Sequence, residues 1–113
     1  MIPVEVPQEL ITQGIPLHAE DDGEIAWPRQ PALSIVHSLE GSKIAVVSVE
    51  IYRSQVWGMV PTDENWCCDN LPGETATDFA RRSRTAALAY IESRDENEQE
   101  IYALEFSDQQ SAA

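Results

Sequence analysis

Hydrophobic residues recur at helical spacing in the segment that follows Pro28 and Pro31. One face of this segment is apolar: Ala32, Leu33, Ile35, Val36 and Leu39. Proline suits the start of a helix, because the N–H that it lacks would have no partner there. Gly41 is typical of a helix end. The pattern therefore predicts a first helix between these two signals.

A second helix is predicted from Thr75 to about Ser93. Thr75 and Asp78 have the spacing of a capping box, and the acid lies near the positive end of the helix. One face of the helix is expected to pack inward: Phe79, Ala80, Ser83, Ala87, Tyr90 and Ile91. Three basic residues are expected to project together from the other side: Arg81, Arg82 and Arg84.

The best strand is the apolar, β-branched run from Ile44 to Tyr52, which we expect to lie centrally with both faces covered. Residues 53–55 are predicted to turn the chain back into an antiparallel partner over residues 56–60. Pro61 would end that pairing, because proline cannot donate to a strand ladder.

Two further segments complete the expected sheet. Residues 65–68 are predicted to form a short strand, and residues 101–106 alternate as a half-buried strand. The inward positions of the second segment are Tyr102, Leu104 and Phe106. The order of helix, strands, helix and strand predicts an α+β fold, with two helices packed on one mainly antiparallel sheet of about four strands.

The length of 113 residues, 42% of them hydrophobic, predicts a single domain with a substantial core. We expect an irregular N-terminal arm over residues 1–24, a core over residues 25–106 and a frayed tail over residues 107–113. The first residues have neither a basic region nor an apolar run, and no window is apolar enough to span a membrane. The adjacent Cys67 and Cys68 are expected to be reduced thiols, since a bond between neighbours is strained. We therefore expect a cytoplasmic protein.

Charge is the feature that points to a function. The chain has 20 acidic and 7 basic residues, a formal net charge of −13. Self-repulsion at this charge costs stability and a fold does not need it, so the sequence predicts recognition of a basic partner. For any one acidic cluster, a solvated loop that keeps the protein soluble is an equal alternative.

Three acidic residues, Asp63, Glu64 and Asp69, flank Trp66 in the sequence. An aromatic residue ringed by polar side chains is typical of an interface anchor. A tryptophan in such a setting is at least as often part of a core. Trp57 is the second candidate anchor. The predicted partner-binding residues are Asp63, Glu64, Trp66, Asp69, Trp57, Glu20, Asp21, Asp22 and Glu24.

No pattern indicates a catalytic, cofactor or metal site. The histidines and cysteines lack the spacings that bring two ligands to one face: His18, His37, Cys67 and Cys68. The carboxylates are too numerous for spacing to single out an acid–base pair. A chain this acidic, with three clustered arginines, does not suit direct nucleic-acid binding. The sequence predicts a non-enzymatic protein with no cofactor that binds neither nucleic acid nor a membrane.

Four landmarks along the chain together resemble a known pattern: Ala32-Leu33 with Leu39, Glu50-Ile51-Tyr52, Asn65-Trp66, and Ser83 with residues 86–91. Their order resembles that of immunity protein 40, a family of bacterial immunity proteins from polymorphic toxin systems. The resemblance covers about residues 25–106. Ser48-Val49 stand where that pattern has a pair of glycines.

The resemblance implies an antidote that binds one cognate toxin domain and blocks it. We expect the toxin to present a basic surface, as a nuclease with a phosphate-binding groove would. An acidic adaptor or regulatory protein that binds a basic protein is the alternative interpretation. A small hydrolase that uses carboxylates not singled out by their spacing is a more remote one.

Overall fold

The computed structural model describes residue 3 and residues 5–16, 25–55, 58–94 and 99–107. The helices and strands follow one another as α1 Gln8–Ile11, β1 Ile15–Pro16, β2 Ile25–Ala26, α2 Arg29–Ser38, β3 Val46–Gln55, β4 Gly58–Cys67, α3 Ala76–Ser93 and β5 Glu100–Phe106.

Strand β3 is the centre of the main sheet, with β4 on one side of it and β5 on the other, and both pairings are antiparallel. An antiparallel bridge between Trp27 and Tyr102 connects β5 to the chain just after β2, which pairs in turn with β1. Helices α2 and α3 pack against one face of this sheet. The predicted α+β class, with two helices on a mainly antiparallel sheet, is confirmed.

The main hydrophobic core lies between the sheet and these two helices. Its largest fully buried side chains come from every layer: Trp27, Tyr102, Ile35, Leu39, Ile44, Ile51 and Ile91. A smaller cluster on the opposite face of the sheet joins Ala26, Tyr52 and Ile101. Burial of this apolar surface is the main stabilising contribution to the fold.

Trp27 also fixes the N-terminal segment. Its indole Nε1 donates a hydrogen bond to the carbonyl oxygen of Leu10 at 2.8 Å. Gly14 passes so close that a Cβ built on it would lie 2.1 Å from Ile25 Cγ2 and 2.9 Å from the indole nitrogen. Any other residue would require these neighbouring side chains to move, so glycine suits this position.

Both predicted helices form where their end signals lie. Helix α2 follows Pro28, and Gly41 beyond its end has a φ of +86°, in the left-handed region that favours glycine. At the start of α3, the side chain of Thr75 accepts a hydrogen bond from the backbone N–H of Asp78 at 3.1 Å. The capping prediction is therefore confirmed.

The predicted positions of the hairpin were wrong. Strand β3 continues through residues 53–55 to Gln55, which pairs with Gly58, and β4 runs through Pro61 to Cys67. The segment predicted as a separate strand over residues 65–68 is thus mainly the end of β4.

Pairing survives Pro61 because the register shifts next to it, between Glu50 and Tyr52 of β3. The side chain of Thr62 connects the strands there. Its hydroxyl donates to the carbonyl of Ile51 at 2.9 Å and accepts from the N–H of Glu64 at 3.1 Å. This irregularity is a β-bulge, in which the strand carries residues that its partner does not match.

The central strand was also predicted to be covered, or nearly covered, on both faces, which is correct for only part of its length. Val49 and Ile51 are buried toward the helices, whereas Glu50 on the opposite face is exposed and Ser48 is half-buried. One end of the sheet therefore leaves a face open to solvent, as antiparallel sheets commonly do.

The three arginines of α3 do not form the predicted outward cluster. Arg84 is 8% exposed, and its Nη1 donates to the carbonyls of Ser42 and Ile44 at 3.0 Å each. The neighbouring Ser83 accepts a hydrogen bond from the N–H of Val46 at 3.1 Å. These contacts attach the start of β3 and the segment just before it to α3.

We expect Arg84→Met to lower the free energy of unfolding by about 2–3 kcal/mol, because two backbone carbonyls lose a charged donor. Urea titration measures the change. Arg81→Met is the matched control, since Arg81 is exposed on the same helix, and it should change the value by less than about 0.5 kcal/mol. Equal losses in the two variants would show that these hydrogen bonds do not hold β3 to α3.

Candidate partner-binding surface

Most basic side chains of this protein form hydrogen bonds within the fold. Five of its seven basic residues donate hydrogen bonds that join separate segments: Arg29, Arg53, Arg82, Arg84 and Arg94. Arg53 is nevertheless exposed, as are the other two, Lys43 and Arg81. These contacts thus engage most of the basic side chains in a chain that has 20 acidic residues.

Glu100 is the centre of one such contact. This carboxylate is 5% exposed and accepts hydrogen bonds from Arg53 at 3.0 Å and from Arg94 at 3.1 Å. Burial alone would raise its pKa, but the two arginines outweigh burial and lower the pKa. Arg94 also binds Glu64 of β4. Arg94 thereby joins the C-terminal end of α3 to β4 and to β5, the two outer strands of the main sheet.

A second contact fixes the loop between β4 and α3. Arg82 grips both carboxylate oxygens of Glu74 at 2.8 Å, and its guanidinium also donates to the carbonyl of Asp69 at 2.7 Å. The same group lies 3.2 Å from the Sγ of Cys68. The hydrogen bond from Arg82, helped by the N–H of Leu71, lowers the pKa of Glu74 to about 2.

Trp66 lies at the border between core and surface. It pairs with the buried Val49 and therefore faces the helices, where its ring stacks on Tyr90 with centroids 6.3 Å apart. It packs against the main core, yet it remains partly exposed. Both interpretations of this tryptophan, core residue and accessible aromatic, thus apply to different parts of one side chain.

The structure brings some of the predicted partner-binding residues together. Glu64 and Trp66 lie two residues apart on β4, and Asp69 follows the end of that strand with its side chain exposed. Asp63 lies in β4, but its side chain is outside the described part of the structure. The remaining five predicted residues also lie outside the described residues: Trp57, Glu20, Asp21, Asp22 and Glu24.

A further polar surface was not predicted from the sequence. It is the uncovered part of the sheet face turned away from α2 and α3, which we call the open sheet face: Ser48, Glu50, Asn65, Cys67, Ala103 and Glu105. The alternation of side chains along β5 could have placed Glu105 on this face, since it lies between two positions that were predicted to point inward. The matching position of Glu50 depends on strand register, which the sequence alone did not give.

The described residues were also compared with the requirements of two other kinds of site. Among them, no three His, Cys, Asp or Glu side chains are grouped in a way that would hold a metal ion. No helix in the described ranges combines the length and the apolar character needed to cross a membrane.

The Glu74–Arg82 pair predicts a specific pH dependence. Because the pKa of Glu74 falls from 4.5 to about 2 on folding, the ionised carboxylate stabilises the fold above pH 4.5. That contribution is lost as the pH falls from 4.5 toward 2. We expect Glu74→Gln to lose stability relative to the wild type above pH 4.5 and to show a shallower decline below it, measured as urea midpoints across this range.

The exposed Glu92 of α3 provides the matched control for that experiment. Glu92→Gln should follow the wild-type pH profile. A Glu74→Gln profile parallel to that of the wild type would contradict the assignment of this acid sensitivity to the pair.

Comparison with known proteins identifies the family. A family model described as immunity protein 40 matches residues 10–107. Comparison with curated proteins and with solved structures gives no match. The matched span includes both long helices and the five strands of the described residues, as well as the four landmarks on which the resemblance was based. The chain therefore belongs to the immunity protein 40 family.

Proposed function

We propose that this protein neutralises a cognate toxin domain by binding it stoichiometrically and without turnover. Membership of an immunity protein family supports the antidote role. The inhibitor works by occupying the toxin, so it needs a stable recognition surface and no catalytic group of its own. We place this action in the cytoplasm, where free thiols such as those of Cys67 and Cys68 stay reduced.

The observation that carries the proposal is that most of the arginines form hydrogen bonds within the fold. The chain has a net charge of −13, and five of its seven basic residues form hydrogen bonds within the fold. A chain with this excess of acid attracts a basic protein surface over distance, which speeds association. The toxin class that it suits best is a nuclease, whose active-site groove is basic because it binds phosphates.

We propose that contact involves the outer side of β4. The partly exposed ring of Trp66 provides an apolar anchor, and Glu64 and Asp69 provide charge on either side of it. Arg94 and Arg82 hold the segments that carry these acids, so the surface is ordered before the partner arrives. A preordered surface loses less conformational entropy on binding. The proposed set also includes Asp63, Trp57, Glu20, Asp21, Asp22 and Glu24.

Co-expression with the toxin domain encoded immediately upstream tests the proposal. We expect host cells to survive and a one-to-one complex to co-purify, because inhibition by occupancy requires both. Host death without a complex would contradict the antidote role for that toxin and would favour the adaptor interpretation. A loss of toxicity at catalytic amounts of this protein would contradict stoichiometric inhibition.

We expect Trp66→Ala to raise the dissociation rate of that complex by about tenfold or more, because an anchor at an interface centre contributes strongly to affinity. Leu71→Ala is the control, since Leu71 is a large hydrophobic residue with 53% exposure outside the proposed contact. Surface plasmon resonance gives the rates. Thermal melting of the free Trp66→Ala protein should still show a cooperative transition, and loss of that transition would assign Trp66 to the core alone.

A further inference from the structure

The open sheet face consists of two rows of cross-strand neighbours on β4, β3 and β5. In one row, Glu50 of β3 lies between Asn65 of β4 and Ala103 of β5. In the next, Ser48 stands between Cys67 and Glu105. Since side chains alternate along a strand, these six point away from the core that Val49 and Trp66 face.

Two carboxylates lie close together on this face. Glu105 is two residues along β5 from the partner of Glu50, a diagonal position at which Cβ atoms are about 7–8 Å apart. Both side chains are exposed. The hydroxyl of Tyr52 donates to Glu50 at 3.2 Å, but among the described residues no basic side chain bonds to either acid.

Other acids of the fold have basic partners. Glu64, Glu74 and Glu100 each bind an arginine. Among the described residues, Glu50 and Glu105 have no basic partner, so both carboxylates can pair with a positive group from outside the chain.

We propose that the open sheet face is a docking surface for lysine and arginine side chains of the cognate toxin domain, an inference that rests on the proposed function. The paired strands hold the two carboxylates in fixed positions, and the amide of Asn65 and the hydroxyl of Ser48 supply further hydrogen-bonding groups beside them. The face adjoins β4, the strand that also carries Trp66. A toxin surface seated here contacts both sides of that strand.

Cys67 provides a built-in reporter, because its exposed thiol lies on the proposed surface. In a Cys68→Ser variant it is the only thiol of this chain. We expect a maleimide to alkylate it at least about tenfold more slowly in the complex with the upstream-encoded toxin domain than in the free protein. Mass spectrometry of this chain measures the rate.

A matched reporter placed on α3 serves as the control. Glu92→Cys, in a chain that also carries Cys67→Ser and Cys68→Ser, puts one thiol on an exposed position of the opposite layer. Its alkylation rate should be the same in the free and bound protein. Equal alkylation of Cys67 in both states would overturn the proposed docking surface.

Charge is tested separately with a double variant, Glu50→Gln and Glu105→Gln. At low salt we expect its association rate to fall about tenfold, and the dependence on salt to weaken. Glu9→Gln with Glu92→Gln removes the same charge from other exposed positions and should lower the rate by less than about threefold. Equal effects of the two double variants would show that net charge alone matters and would overturn the proposal.

Different results would contradict the proposed function and the docking surface. If the wild-type protein forms no complex with the toxin domain, the proposed function and the docking surface both fail. If the complex forms but Cys67 stays reactive and the charge variants behave alike, the function stands and the docking surface is elsewhere.

Discussion

Arginine hydrogen bonds between separate segments are the constraint on which the rest of this structure depends. Arg84 holds the start of the central strand to α3, Arg29 binds the carbonyl of Glu92 near the end of the same helix, and Arg94 joins that end to the buried Glu100. These contacts attach the middle of α3 to the start of the central strand and its C-terminal end to α2 and β5. They also engage most of the chain's arginines within the fold, which leaves few basic side chains to offset its 20 acidic residues.

The acidic residues consequently divide into two groups. Glu100 and Glu74 have lowered pKa values because arginines bind them, and their ionised forms belong to the folded state. Glu50, Asp69 and Glu105 are exposed and form none of these arginine pairs. The first group joins separate segments of the fold, whereas the second group stays exposed to solvent.

The sequence was most informative where local rules decide the structure. Thr75 and Gly41 mark helix ends through contacts within a few residues, so both long helices were predicted correctly. The hairpin was misplaced because the Thr62 side chain bridges two strands at a register shift that no local pattern reveals. The burial of Arg84 was missed for the same kind of reason, since its acceptors lie 40 and 42 residues away. Of the candidate surface, Trp66 and its acids were visible as a cluster in sequence, whereas Glu50 and Glu105 meet only through strand pairing.

The irregular course of β4 has a consequence for how copies of this chain meet. Within the described sheet β4 is an outer strand, and such strands are templates on which a second chain can add and begin to aggregate. Pro61 removes a donor from this edge, and the bulge beside Thr62 breaks its regular spacing. Continuous edge-to-edge growth is therefore blocked at the strand's middle. The same local distortion that obscured the hairpin in the sequence makes this edge a poorer template for a second chain.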